Sequence, residues 1–308
     1  SVVIGSSMTE NFRPSQLNRL FGGQFVKLCV NGGPSFDHQQ MMDMAFSTHD
    51  VRRVLYGIDL DALAACIRRE TPENIPFVRL EAGTNLIGGQ PISYANMKAA
   101  TAICHRHSLL TVLDASLLQD NLYFIKTREN GMQDKSIREI TRMIADLFDI
   151  IYFSARKFGF ARGGAILVRD EELFHSMEDL IPMFEGFLTY GGMSVKEMEA
   201  MTVGFEETMD MDVISQGPQF IDYCVKRLDE YGVPVITPGG GLGAHSDVKE
   251  FLPHVPQSQY SACALSCALY ICGGIRGMGQ ELRSGRIGCI LFGRVEEVSE
   301  GTAVYRTG

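Results

Sequence analysis

The chain has 308 residues, 45% hydrophobic and 21% charged. This composition predicts about two globular domains with a substantial core and excludes an intrinsically disordered chain. With 28 Lys+Arg against 37 Asp+Glu the formal charge is −9, the wrong sign for sequence-independent binding to nucleic-acid phosphates. The longest apolar run, from Ala262 to Cys272, contains Ser266 and falls short of the ~20 residues that span a bilayer.

Residues 1–56 show little periodicity. Asp59 to Arg69 reads as a helix with Leu60, Leu63 and Ile67 on one face. Phe77 to Leu80 reads as a short strand. Pro91-Ile92-Ser93 then leads into a helix whose Met97, Ala100, Thr101 and Cys104 share a face. Leu109 to Leu113 is an apolar strand. Ser136 and Glu139 have capping-box spacing, and the helix they open turns Ile137, Ile140, Ile144 and Leu147 inward. Ile150 to Phe153 and Ala165 to Val168 are further apolar strands. Short apolar strands alternating with helices predict an α/β fold, a mostly parallel sheet covered on both faces.

Asp170 to Leu180 and Ser194 to Tyr231 read as helical, the second stretch broken near Met211 or Gly217-Pro218. Val233 to Ile236 starts a second pattern, and Gln259 to Cys272 predicts a helix with Ala262, Leu265, Leu269 and Cys272 on one side. The eight cysteines (29, 66, 104, 224, 263, 267, 272 and 289) form no CxxC pair. They predict reduced core thiols, and Ser1 to Phe12 lacks the basic and apolar blocks of a signal peptide. Both point to the cytoplasm.

Ligands of open α/β sheets bind beyond the carboxyl ends of the strands. There the sequence offers Asp114, then Ser154-Ala155-Arg156-Lys157, and, after the strand at residue 77, Asn85. An acid and a lysine on neighbouring strand tips suit pyridoxal phosphate. The lysine forms a Schiff base with the aldehyde, and the aspartate keeps the pyridine nitrogen protonated. The same residues are also compatible with a helix-cap aspartate and a solvated lysine.

Longer motifs carry a resemblance. Asn74-Ile75-Pro76-Phe77 through Asn85-Leu86-Ile87-Gly88-Gly89-Gln90-Pro91, Leu113-Asp114-Ala115-Ser116 with Asn121 to Lys126, Ser154-Ala155-Arg156-Lys157, and Glu185 to Met193 resemble the β-eliminating lyases, the family of tryptophanase and tyrosine phenol-lyase. The similarity runs in order from about residue 57 to 280, with a texture nearer tryptophanases. It implies a fold-type-I pyridoxal-phosphate enzyme: irregular residues 1–56, a large cofactor-binding domain over 57–212, and an incomplete small α+β domain over 213–308. It places the Schiff-base lysine on Lys157, a basic neighbour on Arg156, the pyridine acid on Asp114, the ring-oxygen amide on Asn85, a phosphate-binding serine on Ser154 and a stacking ring on Phe12. It further implies a cytoplasmic homotetramer acting on an aromatic amino acid, with a potassium ion, and β-elimination of tryptophan to indole, pyruvate and ammonia. No nucleic-acid or membrane partner is expected.

Beside that family the chain departs in three places. A phosphate-binding loop ahead of Phe12 is missing. Gln280 stands where tyrosine phenol-lyases carry an arginine near the substrate ring. The sequence jumps after Arg286, so an arginine that grips the substrate carboxylate is missing. Arg162 stands at an asparagine of the potassium site in some relatives. These departures predict a truncated chain with weakened turnover. Two other readings stay open, a non-catalytic remnant that keeps the fold and an aminotransferase of the same fold type. His245, in Gly243-Ala244-His245-Ser246, reads as structural or as substrate-orienting. The run Met193, Met198, Met201, Met209 and Met211 reads as packing.

Overall fold

The structure is a computed structural model. It describes residues 60–85, 88–185 and 193–279, together with the strand segments 2–5, 26–29, 293–296 and 304–305. Strand β1 (Val2–Gly5) pairs in parallel with β2 (Val26–Cys29). Helix α1 (Leu60–Glu70) follows and buries Leu63, Cys66 and Ile67.

A four-stranded sheet runs in the order β3 (Phe77–Glu81), β4 (Leu110–Asp114), β5 (Ile150–Ser154), β6 (Gly164–Val168). The β3–β4 and β4–β5 pairs are parallel, each joined through helices, which makes this a mostly parallel α/β fold. Strand β6 departs from a parallel arrangement and pairs antiparallel with β5. The connection over residues 155–163 is too short for the crossover of a dozen or more residues that a parallel neighbour needs. As the last strand in the order, β6 leaves Ile166 and Leu167 half exposed, whereas Leu113 and Phe153 on the inner strands are buried.

Helix α2 (Tyr94–Arg106) is capped by Ser93, which accepts from the Asn96 amide at 3.1 Å. It buries Met97, Ala100, Thr101 and Cys104, the face that its periodicity predicts. Helix α3 (Leu118–Arg128) was not legible as a helix. It buries Leu118, Gln119, Asp120, Asn121, Leu122, Phe124 and Ile125, so almost no polar face remains to create a period. Helix α4 (Ile137–Ala145) opens with both bonds of the Ser136/Glu139 capping box and buries Ile137, Ile140 and Ile144. Leu147, expected inward with them, lies past the helix end and is half-buried, and Phe148 enters the core instead.

Helices α5 (Glu171–Glu178) and α6 (Leu180–Glu185) lead to α7 (Val195–Glu207), α8 (Met211–Ile214) and α9 (Gln216–Glu230). The expected long helix breaks at residues 208–210 and again at Ser215. Pro218 lies in the first turn of α9, where an absent N–H costs nothing.

By its contacts the chain forms two compact units. The first comprises Ser1–Ala82 and Ile92–Val213, and the second Gly83–Pro91 and Ile214–Gly308. In the second unit Ile221 and Val225 of α9 pack with Ala244 and Val235. Val248 of α10 (Val248–Phe251) packs with Ala262 and Leu265 of α11 (Ser261–Gly273), and Leu269 sits partly buried beside them. Over Val233 to Ile236, where the second sequence pattern starts, Val235 forms an isolated bridge with Ser246. Strands β7 (Ile275–Arg276), β8 (Gly293–Glu296) and β9 (Val304–Tyr305) pair antiparallel.

Cys66, Cys104, Cys224, Cys263, Cys267 and Cys272 form no disulfide. Cys66 and Cys104 are buried as expected. Cys263, Cys267 and Cys272 are exposed on α11, which corrects both the core-thiol expectation and the inward placement of Cys272.

Candidate active site

The ends of β3, β4 and β5 are laced together. Ala82 N donates to Asp114 O at 2.9 Å, and Ala115 N to Tyr152 O at 2.8 Å. Ser154 N donates to Ser116 Oγ at 3.1 Å. Backbone pairing thus continues past the formal ends of the strands and fixes the spacing of the tips.

Asp114 closes β4. Its Oδ1 accepts from Ser116 N at 3.1 Å, and its Oδ2 accepts from the Tyr152 hydroxyl at 2.8 Å. Arg79 Nη1 donates to the same hydroxyl at 2.7 Å and lies 3.5 Å from Asp114 Oδ2. The register explains the cluster. Glu81, Asp114 and Tyr152 are cross-strand partners, and Arg79 stands two residues before Glu81 on the same side of β3. Burial, reinforced by the Asp114 charge, holds the Tyr152 phenol above its ordinary range, so it stays a donor.

Lys157 lies on the turn leaving β5, with its amide donating to Ser154 O at 3.3 Å, and is half-buried. The loop that carries it is fastened in several ways. Ala155 N donates to Gly163 O at 2.9 Å and Ala161 N to Ala155 O at 2.7 Å. Phe153, Phe158 and Phe205 stack edge to face with centroids 5.2 to 5.6 Å apart, anchoring the residue next to Lys157 to α7. Gly159 has φ +100, and a Cβ on Gly204 of α7 would lie 1.8 Å from the Gly159 carbonyl oxygen. The helix therefore touches the loop backbone directly. Met193 contributes packing here as its run predicted, because its Sδ would lie 2.5 Å from a Cβ at Gly163.

Asp120 stands in the first turn of α3 and is buried. Burial pushes its carboxyl up to about 7, and the Lys157 charge works in the opposite direction. Gln119 Nε2 lies 3.5 Å from its Oδ2.

The sequence-predicted residues therefore divide. Asp114, Ser154 and Lys157 come together at adjacent strand ends of the first unit. Arg156 is nearby but exposed. Asn85 belongs to the second unit, on an exposed turn whose carbonyl accepts from Gly88 N at 3.3 Å. That turn is held by Gly241 N and Leu242 N, which donate to Gly89 O and Gly88 O at 3.0 Å each. His245 is buried in the same unit, with Nδ1 3.2 Å from Gly243 O. Burial lowers its pKa to about 4, with the Gly243 and Asn85 carbonyls opposing. Its Nε2 and Ser246 Oγ are buried without hydrogen-bond partners. Phe12, Gln280 and Tyr190-Gly191-Gly192 lie outside the described residues. Sequence reasoning missed Arg79, Tyr152 and Asp120. The available signal was polarity, since an arginine and a tyrosine interrupt strands otherwise read as apolar runs.

Among the described residues no group of His, Cys, Asp and Glu is placed to hold a metal ion, and no helix is long and apolar enough to cross a membrane. The fold is similar to the serine palmitoyltransferase of Sphingomonas wittichii, with a TM-score of 0.54 at 12% identity over 94% of this chain and 61% of that one. It is also similar to a structure of SPT with its PLP internal aldimine, with a TM-score of 0.52 at 12% identity over 94% of this chain and 61% of that one. The architecture is that of the fold-type-I pyridoxal-phosphate enzymes.

Residues 36–285 match the family model described as Beta-eliminating lyase. The chain is 37% identical to the tryptophanase of Salinibacter ruber over 80% of its own length and 51% of that protein's. It is likewise 37% identical to the tyrosine phenol-lyase of Clostridium tetani, over 83% of its own length and 54% of that protein's. It belongs to the β-eliminating lyase family, and it spans about half the length of these relatives.

Proposed function

We propose that the chain carries the core of a pyridoxal-phosphate-dependent lyase that removes the side chain of an aromatic amino acid by β-elimination. One observation carries this reading: the Asp114 carboxylate closes β4 and the Lys157 amine leaves the end of its parallel neighbour β5. The donor set fits the cofactor. It offers an acid for the pyridine nitrogen, an amine for the aldehyde and, in Ser154, a hydroxyl for the phosphate. Bound there, the cofactor supplies an electron sink for a carbanion. Asp114 holds the proton on the pyridine nitrogen. Lys157 Nζ would hold the cofactor's aldehyde and, when free, would take the proton from the substrate α-carbon. Asn85 is assigned to the ring oxygen, Arg156 to the phosphate region and Phe12 to stacking by the family resemblance alone. The same resemblance supports a cytoplasmic homotetramer with potassium as an activating ion, which a comparison of rates in potassium and sodium salts tests.

Tryptophan is the substrate we favour, giving indole, pyruvate and ammonia. The equal identity to a tyrosine phenol-lyase supports tyrosine, giving phenol, as the second reading. Adding pyridoxal phosphate is expected to produce a Schiff-base band near ~420 nm that disappears in Lys157→Ala. Absence of the band at saturating cofactor overturns the reading in favour of a non-catalytic remnant. With the band present, release of indole or of phenol decides the substrate, and amino transfer without either product identifies an aminotransferase.

A further inference from the structure

Asp114 is not an isolated acid. A bare carboxylate at a strand tip would offer its whole charge to a cationic partner. Here a phenol donates into Oδ2 at 2.8 Å, a guanidinium sits 3.5 Å from the same oxygen, and an amide holds Oδ1 at 3.1 Å. The groups facing it are Arg79 and Glu81 from β3, Tyr152 from β5 and the Ser116 amide from the turn after β4. Arg79 bonds the hydroxyl that bonds the acid, so the three side chains form one connected unit spanning three strands. Each carboxylate oxygen accepts one of these hydrogen bonds, and each retains a lone pair for a further donor.

We propose that Arg79 and Tyr152 are positioning residues that fix the Asp114 carboxylate and divide its charge, so that it grips the proton of a pyridine nitrogen less tightly than a solitary aspartate would. This rests on the cofactor reading above. A neighbouring cation stabilises the ionised acid, and the same cation opposes a second positive charge placed against that acid. Tyr152 contributes by donating to the oxygen that Arg79 approaches. Arg79 has 40% of its side chain exposed, so solvent screens part of its charge and places its effect at the low end of the range for close charges, about one pKa unit on the bound nitrogen.

The test uses the full chain loaded with ¹⁵N-labelled pyridoxal phosphate, following the pyridine nitrogen resonance across pH. Circular dichroism checks the fold of each variant. In Arg79→Met the resonance is expected to move toward the protonated value, with any deprotonation step raised by about one unit. Tyr152→Phe should move it the same way by less, and it is the readout if Arg79→Met does not fold. Arg79→Lys, which keeps the charge, should return the resonance toward the native position. Coincident resonances in the native chain, Arg79→Met and Tyr152→Phe overturn the inference alone. A resonance that ignores Asp114→Asn, or a native chain that forms no Schiff base, overturns the cofactor reading instead, and the inference with it.

Discussion

Two loops in this molecule carry candidate site residues, Lys157 on one and Asn85 on the other, and they are held by different physics. The loop carrying Lys157 is clamped from outside by a helix, through three stacked phenylalanines and the Gly204–Gly159 approach. The turn carrying Asn85 is clamped backbone to backbone, by amides of Gly241 and Leu242 some 150 residues further along the sequence. It is also closed on itself by the Thr84–Gln90 bridge. The first clamp needs three aromatic side chains as well as the glycine at residue 204. The second needs glycines, because only they allow the two backbones to meet. A turn adjacent in sequence to β3 is thereby bound into the second unit.

The sharpest way to break the first clamp is Gly204→Ala. Helix propensity alone makes alanine better by about 1 kcal/mol in mid-helix. Here the added Cβ meets the Gly159 carbonyl at 1.8 Å, so we expect the opposite sign and a loss of about 4 kcal/mol, read by denaturant unfolding. Next is the second clamp. Gly89 has φ +74, and a Cβ there would lie 2.6 Å from Leu242 N. Gly89→Ala is expected to cost about 3 kcal/mol in the same measurement.

Smaller effects separate the two units by pH. Asp120 in the first unit and His245 in the second both prefer to be neutral, with opposite consequences. The Asp120 carboxyl is raised from 3.8 to about 7, so the stability of its protonated form is full below pH 3.8 and is lost as pH rises through about 7. Asp120→Asn should therefore stabilise the chain at pH 8 and change little at pH 3.5. The shift sets a ceiling of roughly 4 kcal/mol, and we expect about 2 because local opening lets the group reach water. His245 is lowered from 6.5 to about 4. Its contribution is full above pH 6.5 and is lost as pH falls through about 4. His245→Gln should flatten that acid limb by about 1.5 kcal/mol, measured as unfolding free energy between pH 7 and pH 4.

The same contrast separates what was legible in the sequence from what was not. Periodicity located the buried face of α2 and the capping box of α4, because those helices have one wet side. It missed α3, whose buried residues include Gln119, Asp120 and Asn121 beside Leu122 and Phe124. Polarity there marks a buried cluster rather than a surface. Asp114 and Lys157 stood out because strand ends are where chemistry sits. Arg79 and Tyr152 did not, because register decides which side chains meet across a sheet, and register depends on pairing rather than on local sequence. The antiparallel β6 was legible in principle from the brevity of the connection over residues 155–163. Apolar runs indicate burial and carry no direction.

The lacing of the strand tips has one more consequence. Of its three hydrogen bonds, two are wholly backbone and only one uses a side chain, that of Ser116. The frame is therefore nearly indifferent to the groups mounted on it. The acid on β4, the amine after β5 and the brace from β3 are exchangeable fittings on a mount of fixed spacing. A protein built this way can change its chemistry by single substitutions at the tips without redrawing the sheet beneath them.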